Sequence, residues 1–423
     1  MTNNPDKKAS KMKVCMITST YPLYREEPAP SFVHEVTKEL VKLGLQVHVV
    51  APHHVLSKDE EEMDGVAVHR FRYMPARLEM LSGGGGMPPK LQRSLIAKME
   101  LIPFFMSSFL KSVQACRRYD VDLIHAHWLF PSGLIGVLAK KILHRPLVLT
   151  GYGVEFFLVS RKYRVLAPLL RWIAANADQC VFISSAVKKT AEDLGIHGDR
   201  IIPYGVDTKK FEPKTMDGYG VSVLKSRYGI PDGRIILTVG RLVERKGFDY
   251  LIRSMPSVLR SVGDAVLVIA GDGPEREHLN SLTRELGLED AVKLVGTVSN
   301  PDLPLLYNIC TLFVLPSIVD SSGDQEGFGI VLCEAMACEK PVIGTKVGGI
   351  LDIVTDGYDG VLVEQKSVDE LSEAVLRVLS DDKFASKLRF NGRRTMLASF
   401  SYDRIASLYA SIYHSLLEDV HGR

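Results

Sequence analysis

Cysteine is scarce in this chain. Six occur in 423 residues, at 15, 116, 180, 310, 333 and 338, with no C-x-x-C pair among them. Several sit in apolar runs, so they read as reduced, buried thiols, which excludes a disulfide or zinc framework and fits a cytoplasmic setting. Long apolar runs are also missing: no stretch approaches the ~20 residues that a spanning helix needs, and no signal peptide is expected. An excess of one sign of charge is nearly absent, since 52 Lys+Arg stand against 50 Asp+Glu for a net charge of +2. Nucleic acid is therefore not an expected partner. Two nucleotide signatures are incomplete. Gly151-x-Gly153 begins like a dinucleotide fingerprint, but Phe156 stands where a third glycine is required. Neither Gly240 nor Gly271 opens a Walker A loop, so hydride and ATP chemistry have little support.

What is present suggests two α/β domains. The length is large for one core, and the charge divides unevenly. Residues 1 to 205 hold 27 Lys+Arg against 19 Asp+Glu, and the remainder holds 25 against 31. The change falls near Ile202-Pro203-Tyr204-Gly205-Val206-Asp207. Both halves alternate apolar, strand-forming runs with amphipathic stretches, the pattern of parallel sheets covered by helices. In the first half the expected strands are Lys13 to Thr18, Val47 to Pro52, Val121 to Ala126, Leu147 to Thr150 and Cys180 to Ile183. In the second they are Arg234 to Gly240, a run ending at Ala270, Val292 to Val295, Thr311 to Ser317, and Pro341 to Gly344.

The richest stretch is Glu326 to Glu334, E-G-F-G-I-V-L-C-E. Gly327 and Gly329 mark a tight loop where the backbone can approach a ligand, because no Cβ intervenes. Ile330 then opens an apolar, helix-forming run. The free N–H groups at such a helix start suit a phosphate. Glu326 in the loop, placed near solvent, and Glu334 one turn into the helix can each accept hydrogen bonds from hydroxyls. Sugar, diphosphate and ribose are thus all provided for, although a loop-to-helix junction with two exposed glutamates would read the same way. Upstream, the strand ending at Gly240 runs into Arg241 and Lys246. Two cations at a strand-to-helix turn can neutralise a diphosphate without a metal, the arginine as a bidentate fork and the lysine as a point charge.

Together these units resemble the nucleotide-sugar half of the family 4 retaining glycosyltransferases of GT-B architecture, over about Met12 to Tyr413. The resemblance implies two Rossmann-like domains facing across a cleft: an acceptor domain over 1–205 and a nucleotide-sugar domain over 206–400. A C-terminal helix over 401–423 would cross back to the first domain. It further implies a nucleoside-diphosphate sugar donor, a sugar or lipid-linked acceptor, and same-face attack assisted by the leaving phosphate. Glu326 and the Phe328 backbone would hold the sugar, Glu334 the ribose, and the backbone near Gly296 the base. A nucleotide-sugar epimerase of the same fold and a non-catalytic binding subunit are the alternatives.

Leu123-Ile124-His125-Ala126-His127 ends in a histidine pair on one side of a strand. His127, at the strand end where open α/β sheets bind ligands, matches the family's active-site histidine. Two places depart from the family. Tyr152 and Glu155 stand where many relatives carry histidine and aspartate, and Ser31 stands where many place a glycine pair beside the diphosphate. Asp120-Val121-Asp122 has the form of a metal-binding D-x-D, but it precedes a strand, and capping that strand is the expected role. Neither a metal nor another cofactor is expected. Residues 70 to 118 carry nine cations against two acids, interleaved with Leu101-Ile102-Pro103-Phe104-Phe105-Met106. That composition suits an anionic membrane surface, reached from the cytoplasmic side, although ordinary core residues beside a solvated basic face would read the same way.

Overall fold

Aliphatic runs without internal glycine or proline form the central strands, as their composition dictates. The computed structural model describes residues 11–24, 32–82, 87, 90, 94–215 and 217–421. Ser31 and the Gly83 to Gly86 patch lie outside them. The described residues fall into two units: Met1–Ile183, Val187–Ile202 and Tyr402–Arg423 in the first, Ser184–Ala186 and Pro203–Ser401 in the second.

In the first unit, eight strands form one sheet: β1 (Lys13–Ile17), β2 (Gln46–Pro52), β3 (Glu60–Met63), β4 (Val66–Phe71), β5 (Leu123–His127), β6 (Leu147–Gly151), β7 (Gln179–Phe182) and β8 (Arg200–Ile201). Their order is β3-β4-β2-β1-β5-β6-β7-β8. All neighbours are parallel except β3 and β4. The chain works outward from β1 on one side and restarts at β5 on the other, so the topological switch lies between β1 and β5. Such switch points are where open α/β sheets form ligand crevices. The β3–β4 hairpin was not expected, because its Glu60-Glu61-Glu62 run looks like a loop. Its turn was marked, because Asp64 and Gly65 both take positive φ (52° and 81°), the D-G signal of a type I′ turn.

The helix Tyr402–His421 belongs to this unit and buries Ile405, Ala406, Tyr409 and Tyr413 in its core, against Val33, Val36 and Leu40. His125 Nδ1 is 2.7 Å from the Tyr413 hydroxyl and His125 Nε2 is 2.8 Å from Thr150 Oγ1, which in turn lies 3.2 Å from the Tyr409 hydroxyl. His125 is thus an anchor for this helix.

The second unit has six strands: β9 (Arg234–Val239), β10 (Ala265–Ala270), β11 (Val292–Gly296), β12 (Leu312–Leu315), β13 (Val342–Thr345) and β14 (Val361–Val363). Their order, β11-β10-β9-β12-β13-β14, puts the switch between β9 and β12. Both faces are covered, and Leu312, Phe313, Val314 and Leu315 are all fully buried. Each such side chain stabilises the fold by about 1.5–3 kcal/mol.

Candidate functional site

At the switch point of the second sheet, the loops after β9 and β12 are pressed together. Gly247 takes φ +61°, and a Cβ there would overlap the Pro316 carbonyl. The Ile318 N–H donates to the Arg245 carbonyl at 2.8 Å. This contact carries Lys246 inward, where its ammonium pairs with Glu326 Oε2. Both side chains are buried, which corrects the expectation of a glutamate near solvent. Burial alone would push the Glu326 carboxyl up, but the Lys246 ammonium, with Arg245 further off, holds it below the usual carboxylate range. Arg241, on the same loop, is exposed.

The loop that bears Glu326 is seated by a second pair of glycines, far from it in sequence and not expected at the site. Gly348 takes φ +57°, and a Cβ on it would overlap the Glu326 carbonyl; one on Gly349 would overlap Gly327. The Gly349 N–H donates to Glu326 O at 3.0 Å. Ser184 Oγ donates to Gly327 O at 2.7 Å. Gly329 (φ +100°) then starts the helix Ile330–Ala337 with no side-chain cap; the Leu332 N–H donates to Gly329 O at 2.9 Å, and the two N–H groups before it are the ones a ligand could take. Phe328 is buried edge-on to Tyr204, with ring centroids 5.5 Å apart.

Glu334, the second motif carboxylate, accepts a hydrogen bond from the Tyr307 hydroxyl at 2.7 Å. Burial pushes its carboxyl up to about 7, opposed by that hydrogen bond and by Lys210. Neither glutamate is therefore an idle surface group. Tyr307 and Lys210 lie far from the motif in sequence, and no local signal marks them. Gly296, φ +73°, ends β11 with its carbonyl accepting from Gly271 N at 2.8 Å. Gly240 lies against Gly271, whose Cβ would overlap the Gly240 carbonyl.

The carboxyl edge of the first sheet holds its own group of polar side chains. His125 and His127 share a face, their rings 4.2 Å apart. His127 Nδ1 is 2.6 Å from the Tyr152 hydroxyl, and burial pushes its imidazole down to about 3. Its Nε2 has no partner among the described residues. Glu155 Oε1 accepts from the Tyr152 N–H at 3.0 Å. Burial raises the Glu155 carboxyl, against hydrogen bonds from the Tyr152, Glu155, Leu129 and Gly153 backbone. Tyr152 and Glu155, which stand where many relatives carry histidine and aspartate, are bound to His127 and to the local backbone.

The D-x-D carboxylates are used structurally. Asp122 Oδ2 accepts from the Lys13 N–H at 2.8 Å, and Asp120 pairs with Arg145 at 2.7 Å. Among the described residues, no cluster of three His, Cys, Asp or Glu could hold a metal. All six cysteines are buried and free.

The basic excess in 70–118 is largely cancelled by acids just before it. Arg70 is buried, donating to the Pro22 and Pro52 carbonyls and to Glu61; Arg72 pairs with Asp59, Lys111 and Arg118 with Glu60. Lys90 donates to Ser82 O, and Arg93 lies outside the described residues. Arg77, Lys98 and Arg117 are exposed with no ion-pair partner among the described residues. The helix Leu101–Tyr119 buries Phe104, Ser108, Ser112, Ala115 and Cys116 on one face and exposes Ile102 (76%), Met106 and Leu110 on another. None of the helices described is long and apolar enough to cross a membrane.

Two family models match the chain. "Glycosyl transferases group 1" covers residues 223–395, and "Glycosyl transferase 4-like domain" covers 29–205. Among curated relatives, the GDP-mannose-dependent alpha-(1-6)-phosphatidylinositol monomannoside mannosyltransferase of Mycolicibacterium smegmatis is 31% identical over 287 residues, 67% of this chain and 74% of the relative. The N-acetyl-alpha-D-glucosaminyl L-malate synthase of Bacillus anthracis is 26% identical, over 75% of this chain and 81% of the relative. Among solved structures, sucrose-phosphate synthase from Thermosynechococcus elongatus has a TM-score of 0.73 at 23% identity, covering 97% of this chain and all of that one. Anabaena HepE, solved with UDP-glucose, has a TM-score of 0.69 at 20% identity, covering 96% of this chain and all of that one. These likenesses show the GT-B fold over nearly the whole chain.

Proposed function

Because this chain belongs to the group 1 glycosyltransferase family, we propose that it moves a sugar from a nucleoside diphosphate to an acceptor hydroxyl, with retention of anomeric configuration and without a metal. The observation that carries this reading is the convergence at one switch point of Arg241, the buried Lys246–Glu326 pair, the uncapped helix start at Gly329 and Glu334. Arg241, Lys246 and the helix N–H groups would take the diphosphate, and stabilising departing negative charge is the main catalytic contribution such a site can make. A lysine has three donors, so Lys246 can keep one hydrogen bond to Glu326 while offering others to phosphate oxygens. Held ionised in this way, Glu326 accepts from the sugar hydroxyls while Glu334 accepts from the ribose.

In the transfer step the bond from the anomeric carbon to the diphosphate oxygen breaks. The acceptor oxygen bonds to the same face of the sugar, and its proton passes to the departing phosphate. His127 would border the reacting sugar. The exposed Ile102-Met106-Leu110 row favours a lipid-linked acceptor in an anionic membrane surface on the cytoplasmic side.

A panel of nucleoside-diphosphate sugars, led by GDP-mannose and UDP-sugars because the relatives' and neighbours' names carry them, tests the reading. At least one should give a sugar product of unchanged anomeric configuration with EDTA present. Loss of turnover in EDTA that manganese restores would overturn metal independence. Epimerised donor formed without acceptor would favour an epimerase, and no turnover of any donor would overturn the transferase.

A further inference from the structure

The Tyr152 ring lies 4.7 Å from that of Trp128 and 4.8 Å from that of Phe32, and its backbone N–H is tied to Glu155. Trp128, φ +67°, is itself fixed by its N–H donating to Thr150 O at 2.9 Å. The phenol therefore meets His127 Nδ1 in a set geometry, at 2.6 Å, while His127 Nε2 is buried with no hydrogen-bond partner among the described residues.

We propose that Tyr152 is a positioning residue: its hydroxyl donates to His127 Nδ1 and fixes the imidazole as the Nε2–H tautomer, a neutral donor to a sugar oxygen. The inference rests on the transferase reading above. Of the two groups, the phenol is the better donor and the bare imidazole nitrogen the better acceptor, so the proton of this hydrogen bond belongs to the tyrosine. Which nitrogen of a histidine carries the proton is set by the bond the other makes. The burial that keeps His127 uncharged leaves it a single proton, at Nε2. A cationic histidine would attract the diphosphate and could act as an acid; this one offers a hydrogen bond without a charge, which suits a hydroxyl oxygen.

The test is 15N spectroscopy of ligand-free protein labelled at histidine, with His127 assigned by loss of its signals in His127→Asn. Nδ1 should be unprotonated and Nε2 protonated; a protonated Nδ1 overturns the proposal, whatever the variants do. Tyr152→Phe should scramble the tautomer and lower kcat roughly ten- to a hundredfold, the range seen when an orienting partner is removed, with donor KM little changed. Tyr152→His, whose N–H can donate again, should recover most of the loss. Wild-type kcat and an unchanged spectrum in Tyr152→Phe would overturn the proposal. Failure of wild-type protein to transfer sugar would remove the transferase reading yet leave the tautomer measurement standing.

Discussion

Glu326 stood out in the sequence as a donor-site candidate and was expected near solvent; it is buried, and the difference changes what its replacement should do. With Lys246 buried beside it, Glu326→Gln leaves a buried ammonium without its counter-charge, a loss of about 3–5 kcal/mol when a buried pair is broken. The melting temperature should fall together with kcat, the latter by about 10²-fold if its hydroxyl contacts orient the sugar. Adding Lys246→Met should restore much of the melting temperature and none of the turnover. A double variant that stays as unstable as the single one would mean that the pair contributes little to the fold. Glu334 gives a pH prediction. Its carboxyl, raised to about 7 by burial, favours the neutral form, so its contribution to stability is present at low pH and is lost as pH rises through that value. Ribose hydroxyls need the charged form, which reverses the sign for binding. Donor KM should fall as pH rises from about 6 to about 8, approaching tenfold per unit below 7, and Glu334→Gln should flatten the profile. An unchanged KM across that range in wild type would remove Glu334 from the ribose site.

Among elements, the strands that were legible are those whose composition alone decides, such as β1, β9, β10 and β12. Of the four that were missed, β4 and β14 carry apolar residues that could have been read, whereas β3 and β8 are fixed by neighbours. β3 is three glutamates and a methionine on a sheet edge, paired antiparallel with β4, and β8 is two residues long; neither has a pattern to read. The helix Leu101–Tyr119 shows the converse. Its apolar content was visible, but not which half of it is covered, and its cations were counted without the acids at 59–61 that pair with them. What remains is an exposed apolar row flanked by Lys98 and Arg117, and the membrane prediction belongs to that row. Sedimentation with anionic vesicles should fall severalfold in Ile102→Ser/Met106→Ser/Leu110→Ser, whereas added salt should have only a modest effect, because few unpaired cations contribute about 1 kcal/mol each at most. If the protein stays in the supernatant at low salt, the row is not a membrane contact.

At the scale of the molecule, the alternation of strand and helix and the change of charge balance announced two α/β units. The positions of Tyr307, Lys210 and the Gly348-Gly349 turn were not legible, since each reaches the site through the fold and not through nearby sequence. The assignment of Tyr402–His421 to the first unit has a consequence for how the protein is made. A ribosome completes the whole second unit before that helix emerges. Until then the groove that takes Tyr409 and Tyr413 stays open, and His125 and Thr150 lack their hydroxyl partners. The first unit, though earliest in synthesis, is therefore the last to close its core, and a nascent chain stalled before residue 402 presents a complete second unit tethered to an unfinished first one.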